Sequence, residues 1–154
     1  MDGFELKRIT PDMPPQVFDG ISEIDRICIN NGFWSAQDFH EEVCKSGGIV
    51  FAVYCGDEIV GVIAGFTASD TGEILTLATK PEYRRQGIGK MLLSGFFSAI
   101  PEDVVNIALE IRHSNQAAIA LYESFGFARA GVRKRFYREP TEDADVMVRE
   151  LAHN

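Results

Sequence analysis

The sequence has 154 residues, 45% of them hydrophobic and 25% charged, which is the composition expected of one soluble globular domain over residues 1–154. Its formal net charge of −8 argues against direct nucleic-acid binding and favours a cationic partner, although acidic surfaces also serve solubility alone. No apolar stretch is long enough to span a membrane and no signal-peptide pattern opens the chain, so the sequence predicts a cytoplasmic protein without a membrane partner. The three cysteines and three histidines show no metal-ligand spacing, and we expect no bound metal.

The first half of the chain predicts one strand, two helices and a hairpin. Apolar residues at helical spacing predict a first helix that Asn31-Gly32 ends. Ser35 fits the N-cap of a short second helix, and Gly56-Asp57 fits the turn of the hairpin. In chain order these elements are a strand over 4–9, helices over 16–30 and 36–44, and strands over 49–54 and 58–66.

In the second half, strand and helix signals alternate. Pro81 and Pro101 end two apolar runs, and Ser114 or Asn115 caps a helix that stops before Gly126. The predicted elements are a strand over 74–79, a helix over 87–99, a strand over 104–112, a helix ending at 125, and strands over 127–132 and 144–151. The resulting order, β-α-α-β-β-β-α-β-α-β-β, indicates an α/β fold with parallel and antiparallel strand pairs.

The run 74–93 passes from a β-prone strand through a basic, glycine-bearing turn into an amphipathic helix. Gly87 and Gly89 have no Cβ, so backbone N–H groups can approach a ligand closely. The free N–H groups of a first helical turn favour an anion, and Arg84, Arg85 and Lys90 add positive charge. These features favour a phosphate cradle, although a solvated basic turn would contain the same residues.

The segment Arg-Arg-Gln-Gly-Ile-Gly at 84–89, with the strand before it and Met91-Leu92-Leu93 after it, resembles the pyrophosphate-binding motif of the GNAT superfamily of N-acetyltransferases. The resemblance implies acetyl-CoA as the cosubstrate. It also implies a single-domain acetyltransferase fold, with a mixed central sheet in which two parallel strands splay apart and helices flank the sheet.

Residues 109–127 combine a strand with the helix that follows it. Period-two alternation places Glu110 and Arg112 on one face of the strand and apolar residues on the other. Helical spacing turns Tyr122 inward. Taken singly, Glu110 could be paired with Arg112, Tyr122 could be a core aromatic residue, and Asn115 could be only an N-cap.

The run L-E-I-R-x-S-N-x-x-A-I-A-L-Y-E-S-x-G-F over the same residues is similar to the bacterial RimI-type N-terminal acetyltransferases, which are ribosomal-protein alanine N-acetyltransferases. The similarity extends from Phe33 through the last strand. It implies that Glu110 accepts the proton of the amine and that Tyr122 donates a proton to the departing thiolate. It further implies an acetyl-CoA site formed by Leu77, Ala78, Thr79, Arg84, Arg85, Gln86, Gly87, Ile88, Gly89, Lys90 and Asn115.

Two further segments face the acceptor in that family. Trp34 lies where the family has Pro-Trp-Ser, with Phe33 in place of the proline; it is a peptide anchor if exposed and a structural pin if buried. Near the C-terminus, where the family often has paired tyrosines, Phe136 lacks the hydroxyl and Tyr137 is left as the candidate contact, in a predicted loop. The acidic run 142–145 attracts a basic peptide or is a solvated loop.

Three functions remain open from the sequence. The leading one is acetyl-CoA-dependent acetylation of the N-terminal α-amine of a protein, a ribosomal protein starting with alanine. The second is acetylation of a small-molecule amine or a lysine side chain, because the superfamily uses one cofactor site for many amines. The third is a non-catalytic acyl-CoA-binding or partner-binding module, which would need neither Glu110 nor Tyr122. The sequence leaves the preferred first residues of the peptide, the oligomeric state and any required partner protein open.

Overall fold

The computed structural model describes residues 3–29, 33–138 and 140–151. Its elements follow the predicted order, which confirms the α/β class. They are β1 (Phe4–Arg8), α1 (Pro15–Cys28), α2 (Ala36–Cys44), β2 (Gly48–Cys55), β3 (Glu58–Ala68), β4 (Thr71–Thr79), α3 (Ile88–Ser98), β5 (Asn106–Arg112), α4 (Gln116–Ser124), β6 (Ala128–Tyr137) and β7 (Glu142–Glu150). They fall into two compact units, the first within Met1–Phe66 and Leu75–Ile100 and the second within Thr67–Ile74 and Pro101–Asn154.

The first unit contains β1, β2, β3 and the later part of β4, hydrogen-bonded in that order. Strands β1 and β2 are antiparallel, with Leu6 opposite Val53. Strands β2 and β3 form the predicted hairpin around Gly56-Asp57. In the middle of β2 and of β3, consecutive residues are buried instead of every second one. Helices α2 and α3 both contact β2. A strand covered on both faces carries a continuous apolar run, as these two do.

Helices α1 and α2 are set by local signals in the sequence. Helix α1 buries the apolar stripe that includes Phe18, Ile21 and Ile24. It ends at Cys28, two residues earlier than predicted, and the predicted stop at Asn31-Gly32 lies outside the described residues. The predicted N-cap of α2 is confirmed: the Ser35 hydroxyl accepts a hydrogen bond from the Asp38 N–H and the Asp38 carboxylate accepts one from the Ser35 N–H.

Helix α3 lies unusually close to the sheet of the first unit. A Cβ placed on Gly61 of β3 would come within 2.7 Å of Cγ2 of Ile88, the first residue of the helix. Ile88 is buried in this contact. Because Gly61 has no side chain, the N-terminus of α3 can approach β3 this closely.

The second unit contains the start of β4, then β5, β7 and β6, hydrogen-bonded in that order. Strands β4 and β5 are parallel, with Thr71 opposite Asn106, whereas β7 is antiparallel to both of its neighbours. This mixture confirms the predicted mixed sheet. Strand β5 alternates as predicted, with Ile107, Leu109 and Ile111 buried.

The last two strands are longer than the sequence predicted. Strand β6 continues to Tyr137 instead of ending at 132, and β7 begins at Glu142 instead of 144. The loop predicted around Phe136 is therefore wrong. That segment is the end of β6, where the register shifts between Arg133 and Tyr137 and Arg135 has a left-handed φ of 53°.

Within the described ranges, no helix combines the length and apolarity that a bilayer crossing would need. The same ranges contain no group of three or more His, Cys, Asp or Glu side chains arranged to hold a metal ion.

Candidate active site

The predicted cosubstrate segment begins at the end of β4. Residues alternate there, so that Thr76 and Ala78 are buried while Leu77 and Thr79 are half-buried. The backbone N–H of Lys80 donates to the Val60 carbonyl at 2.9 Å, which carries the β3 pairing to the end of the strand. Pro81 then begins a 3-10 turn that ends at Tyr83.

Side chains of the first unit hold this turn in place. Glu58 at the start of β3 accepts hydrogen bonds from Lys80 Nζ at 2.7 Å and from the Tyr83 hydroxyl at 3.2 Å. Arg84 is engaged within the unit as well, because its Nε donates to the Thr79 carbonyl at 3.3 Å and its guanidinium lies 3.5 Å from Cys28 Sγ.

The N-terminus of α3 has the geometry of an anion cradle. Its N-cap, Gly87, is left-handed with a φ of 86° and supplies no side-chain cap. The first helical hydrogen bond runs from the Met91 N–H to the Gly87 carbonyl at 3.1 Å. The N–H groups of the intervening turn, Ile88 to Lys90, therefore have no intrahelical acceptor. Within the described residues, the exposed Arg85 side chain has no ion pair or hydrogen bond and is free to pair with an anion.

In the second unit, Glu110 lies on the less buried face of β5, as predicted. Its Oε2 pairs with the guanidinium of Arg133 from β6. Among the described residues, Oε1 has no hydrogen-bond partner. The predicted alternative, a pair between Glu110 and Arg112, is wrong, because Arg112 instead pairs with Glu142 at 3.3 Å.

Tyr122 is buried on α4, and its ring packs edge-on against Phe127 with 5.4 Å between the centroids. The helix carrying it begins at Asn115, whose side chain accepts a hydrogen bond from the Ala118 N–H at 3.3 Å. No donor or acceptor among the described residues reaches the Tyr122 hydroxyl. A tyrosine hydroxyl is protonated at neutral pH at its ordinary pKa of about 10, and here burial, and secondarily the charge of Tyr137, raises the pKa further.

Tyr137 lies at the end of β6 in the same unit. The Arg112 guanidinium stacks over its ring, with Cζ 4.5 Å from the centroid, and the Phe136 ring lies edge-on at 5.1 Å. Burial raises the pKa of the Tyr137 hydroxyl, and the negative charge of Glu110 adds to the effect. The second unit thus contains three residues predicted from the sequence, Glu110, Tyr122 and Tyr137. Arg133 pairs with Glu110, and Arg112 stacks on Tyr137.

The acidic run 142–145 is part of β7 and not a loop. Glu142 accepts a hydrogen bond from the Ser114 N–H at 2.5 Å. Asp143 accepts one from the Arg135 N–H at 2.9 Å. Asp145 is buried and pairs with His113 Nδ1 at 3.0 Å and with Arg129 Nε at 3.4 Å. These carboxylates are satisfied inside the unit, which leaves them little capacity to hold a separate basic peptide.

Trp34, the predicted acceptor contact, is half-buried in the first unit. Its ring packs at 5.1 Å from Phe39, and the residue also lines an open cleft of about 530 Å³. Trp34 therefore fits both predicted alternatives, the structural residue and the peptide anchor, because it packs on the core and also lines the cleft. The other residues lining the cleft are Phe33, Asp38, Glu41, Glu42 and Lys45.

Asp25 on α1 carries a fully buried carboxyl group that was not predicted from the sequence. Its Oδ1 accepts a hydrogen bond from the Thr76 hydroxyl at 2.5 Å, and its Oδ2 accepts one from the Trp34 N–H at 2.8 Å. Burial raises the pKa of this carboxyl, while both hydrogen bonds oppose the rise. A signal was available, because Asp25 stands four residues after Ile21 and seven after Phe18, on the apolar face of the helix.

Comparison with known proteins gives a consistent result. The signature of the acetyltransferase (GNAT) family matches residues 18–127. The N-alpha-acetyltransferase RimI of Mycobacterium tuberculosis is 29% identical over 155 residues, covering 92% of this chain and 97% of that protein. An uncharacterized protein of Mycobacterium leprae is 33% identical over 95% of this chain, and this chain spans only 44% of its length.

Solved structures agree with the sequence relatives. The ribosomal-protein-S18-alanine N-acetyltransferase of Escherichia coli superimposes with a TM-score of 0.80 at 25% identity, covering 97% of this chain and 96% of that one. A GNAT family acetyltransferase of Elizabethkingia anophelis, solved with acetyl-CoA bound, has a TM-score of 0.75 at 17% identity, covering 98% of this chain and all of that one. With the family signature matched over most of its length, this chain belongs to the GNAT family and is an N-acetyltransferase.

Proposed function

We propose that this N-acetyltransferase transfers the acetyl group of acetyl-CoA to the N-terminal α-amine of a protein, a ribosomal protein that starts with alanine. We also propose that residues 1–154 act as one N-acetyltransferase domain. The names of the mycobacterial and Escherichia coli proteins support the α-amine as acceptor. The observation that carries the proposal is the Tyr122 hydroxyl, on a buried residue and unpaired within the described part of the chain, in the same unit as the Glu110 carboxylate, which keeps one oxygen free.

The first unit supplies most of the residues proposed to hold acetyl-CoA. The unbonded N–H groups at the start of α3 and the free Arg85 side chain suit the pyrophosphate. Arg84 contributes by bracing the Thr79 carbonyl, whereas Asn115 already serves as the N-cap of α4. The residues proposed to hold acetyl-CoA are Leu77, Ala78, Thr79, Arg84, Arg85, Gln86, Gly87, Ile88, Gly89, Lys90 and Asn115.

Direct transfer accounts for the residues present. Glu110 Oε1 takes a proton from the protonated acceptor amine, whose nitrogen lone pair then attacks the thioester carbonyl carbon. The carbonyl oxygen becomes an oxyanion, for which backbone N–H groups around Leu77 to Thr79 are the proposed donors. The C–S bond breaks as the carbonyl reforms, and the departing thiolate takes the proton of Tyr122. The second proton of the amine nitrogen passes through water to the Tyr122 phenolate, and Glu110 releases its proton to water, so that the products are the amide, the CoA thiol and one proton.

An α-amine is the acceptor that this machinery suits best. Its pKa is about 7.7–8.0, against about 10.4 for a lysine side chain, so a single carboxylate can deprotonate it at modest cost. We propose Trp34 and Tyr137 as contacts of the acceptor peptide. Trp34 lines an acidic cleft. Tyr137 stacks with Arg112 and lies close enough to Glu110 for the carboxylate charge to raise the pKa of its hydroxyl.

The test is mass spectrometry of a peptide panel incubated with the protein and acetyl-CoA. The panel contains free N-termini beginning with Ala, Ser, Gly and Met, N-blocked lysine peptides, and a polyamine. We expect acetylation of free α-amines only, with the Ala peptide foremost. Acetylation of lysine or the polyamine alone would move the protein to the side-chain or small-amine class, and acetyl-CoA binding without any product would make it a binding module.

Two variants then test the base. Glu110→Gln should lower kcat by about 10²-fold or more, since general bases contribute about 10²–10⁴, while the acetyl-CoA Kd stays unchanged. Glu123→Gln is the matched control, because it makes the same change on the exposed side of α4. Equal losses of kcat and of acetyl-CoA affinity in Glu110→Gln would contradict the base role.

A further inference from the structure

We propose that Asp25 is a positioning residue for the acceptor side of the site: it ties the backbone of Trp34 to strand β4. This inference rests on the proposed role of Trp34 as a contact of the acceptor peptide. Asp25 touches neither substrate in the proposed mechanism. It acts by fixing where Trp34 stands relative to the strand that continues into Leu77, Ala78 and Thr79.

Helix α1 grips Trp34 at both of its backbone polar groups. The Trp34 N–H donates to Asp25 Oδ2 at 2.8 Å, and the Trp34 carbonyl accepts from the Ser22 hydroxyl at 2.8 Å. Ser22 and Asp25 are three residues apart, so they project from one side of the helix. Helix α1 therefore fixes the backbone of Trp34 through both its N–H group and its carbonyl group.

The second oxygen of Asp25 extends the link to the sheet. Oδ1 accepts from the Thr76 hydroxyl at 2.5 Å, and Thr76 lies directly before the residues proposed to bind acetyl-CoA. Thr76 itself is buried. The hydrogen bond between Asp25 and Thr76 is therefore shielded from water, where such bonds are strongest, and the bond from the Trp34 N–H is partly shielded.

Generic packing does not explain a carboxyl group at this position. Asp25 is 0% exposed and shares the apolar face of α1 with Phe18, Ile21 and Ile24. An apolar residue would fill the same space without the cost of desolvating a carboxyl group. An aspartate there is useful because it can accept two hydrogen bonds from two different elements at once.

Of the two hydrogen-bond partners of Asp25, Trp34 is freer to move than Thr76 when the carboxyl group is removed. Thr76 is held in the ladder of the sheet, and Asp25 belongs to a helix of 14 residues packed on the core. Trp34 lies between the helices, in a segment without regular structure. Loss of the carboxyl group should therefore displace Trp34 and leave β4 in place, so the acceptor KM should change and acetyl-CoA affinity should not.

The experiment compares Asp25→Ala, Asp25→Asn and Ser22→Ala in the full chain, with an Ala-starting peptide as acceptor. Asp25→Ala should raise the peptide KM about tenfold, which corresponds to the loss of a hydrogen bond to a charged group, and should leave the acetyl-CoA Kd within about twofold. Asp25→Asn should restore most of the loss, because its amide oxygen can accept from Trp34 while its amide nitrogen donates to the Thr76 hydroxyl. Ser22→Ala should give a smaller rise in the same KM.

Trp34 is the sole tryptophan of the chain, so its fluorescence reports its own position. The emission maximum should shift to the red in Asp25→Ala and Ser22→Ala and stay at the wild-type wavelength in Asp25→Asn. Should Asp25→Ala fail to fold, the KM and emission of Ser22→Ala decide the matter, since that side chain lies only partly buried.

The outcomes separate this inference from the proposed function. If the wild-type protein acetylates the peptide, and Asp25→Ala and Ser22→Ala have the wild-type KM for that peptide, the positioning role is wrong and the proposed function stands. Parallel losses of acetyl-CoA affinity in these variants would also overturn it, because they would indicate general disruption. If the wild-type protein acetylates no α-amine, the proposed function fails and this inference fails with it.

Discussion

Tyr122 is a buried residue, and its hydroxyl has no hydrogen-bond partner among the described residues. The oxygen of this hydroxyl is not among the buried side-chain atoms that lack a partner, so it keeps some access to solvent. Its proton is retained at neutral pH, as the ordinary tyrosine pKa of about 10 requires, and burial of the residue raises the pKa further. A retained proton on a hydroxyl that no protein group accepts from is what a proton donor to a leaving thiolate requires.

We therefore expect Tyr122→Phe to separate catalysis from stability. The ring and its contact with Phe127 are kept, so the free energy of unfolding should change by about 1 kcal/mol or less. The kcat should fall by about 10²-fold or more, because the departing thiolate loses its proton donor. Steady-state kinetics with an α-amine peptide, together with urea unfolding, measure both quantities.

Tyr54→Phe on β2 is the control for this prediction, because it removes a hydroxyl of the same kind from a residue outside the proposed site. An unaltered kcat in Tyr122→Phe would exclude Tyr122 as the acid. A large loss of stability would show that the hydroxyl serves the fold instead.

At the scale of elements, the start of α3 makes the next prediction. Gly87 is left-handed, and a Cβ added to it would meet no atom within 4 Å. Gly87→Ala should cost about 1–2 kcal/mol of stability through its backbone alone. The new methyl group would also stand at the mouth of the proposed anion cradle, so we expect the acetyl-CoA Kd to rise about tenfold, equivalent to ~1.4 kcal/mol.

The hairpin between β2 and β3 offers a matched control. Gly56 is also left-handed, with a φ of 62°, and a Cβ there would likewise meet open space. Gly56→Ala should therefore lose similar stability while its acetyl-CoA Kd, measured by calorimetry, stays at the wild-type value. Similar Kd values for the two variants would refute the cradle at Gly87.

Elements with strong local signals could be predicted from the sequence. The Ser35 N-cap, the Gly56-Asp57 turn and the Asn115 cap each rest on short-range geometry that the residues themselves encode, and each is observed. The alternation in β5 likewise gave the correct face for Glu110.

The ends of β6 and β7 could not be predicted in the same way. Arg135 and its neighbours show no alternation, and the start of β7 is acidic. These segments become strands because they pair with each other, with Arg133 opposite Ala144 and Tyr137 opposite Glu142. Strand formation of this kind depends on tertiary context more than on local propensity. The ion pair between Glu110 and Arg133, which are 23 residues apart, could not be predicted either, because it depends on the same strand pairing.

At the scale of the whole molecule, the net charge of −8 favours a cationic acceptor, but only the structure shows how individual carboxyl groups are used. Those of 142–145 neutralise basic side chains within their own unit. Asp25 differs from them, since within residues 3–29, 33–138 and 140–151 it forms no ion pair and its partners are a hydroxyl and a backbone N–H. A carboxyl group in such a setting makes the stability of the protein depend on pH in a defined direction.

Burial raises the pKa of Asp25 in the folded protein above its value in the unfolded chain. Below the ordinary Asp pKa of about 3.9 both states hold the proton, so the carboxyl group costs nothing. As the pH rises from that value through the raised folded pKa, the unfolded chain releases its proton first, and the free energy of unfolding falls. Asp25→Asn has no proton to release there and cannot show this fall.

We therefore expect the stability of the wild-type protein, relative to Asp25→Asn, to decline as the pH rises from acid towards neutral and then to level off. Urea unfolding of both proteins at matched pH values measures the difference, in which the titrations of all other groups cancel because the two chains share them. A difference that is constant with pH would show that Asp25 titrates alike in the folded and unfolded chains. A difference that grows in favour of the wild type would show that its hydrogen bonds to Trp34 and Thr76 outweigh its burial.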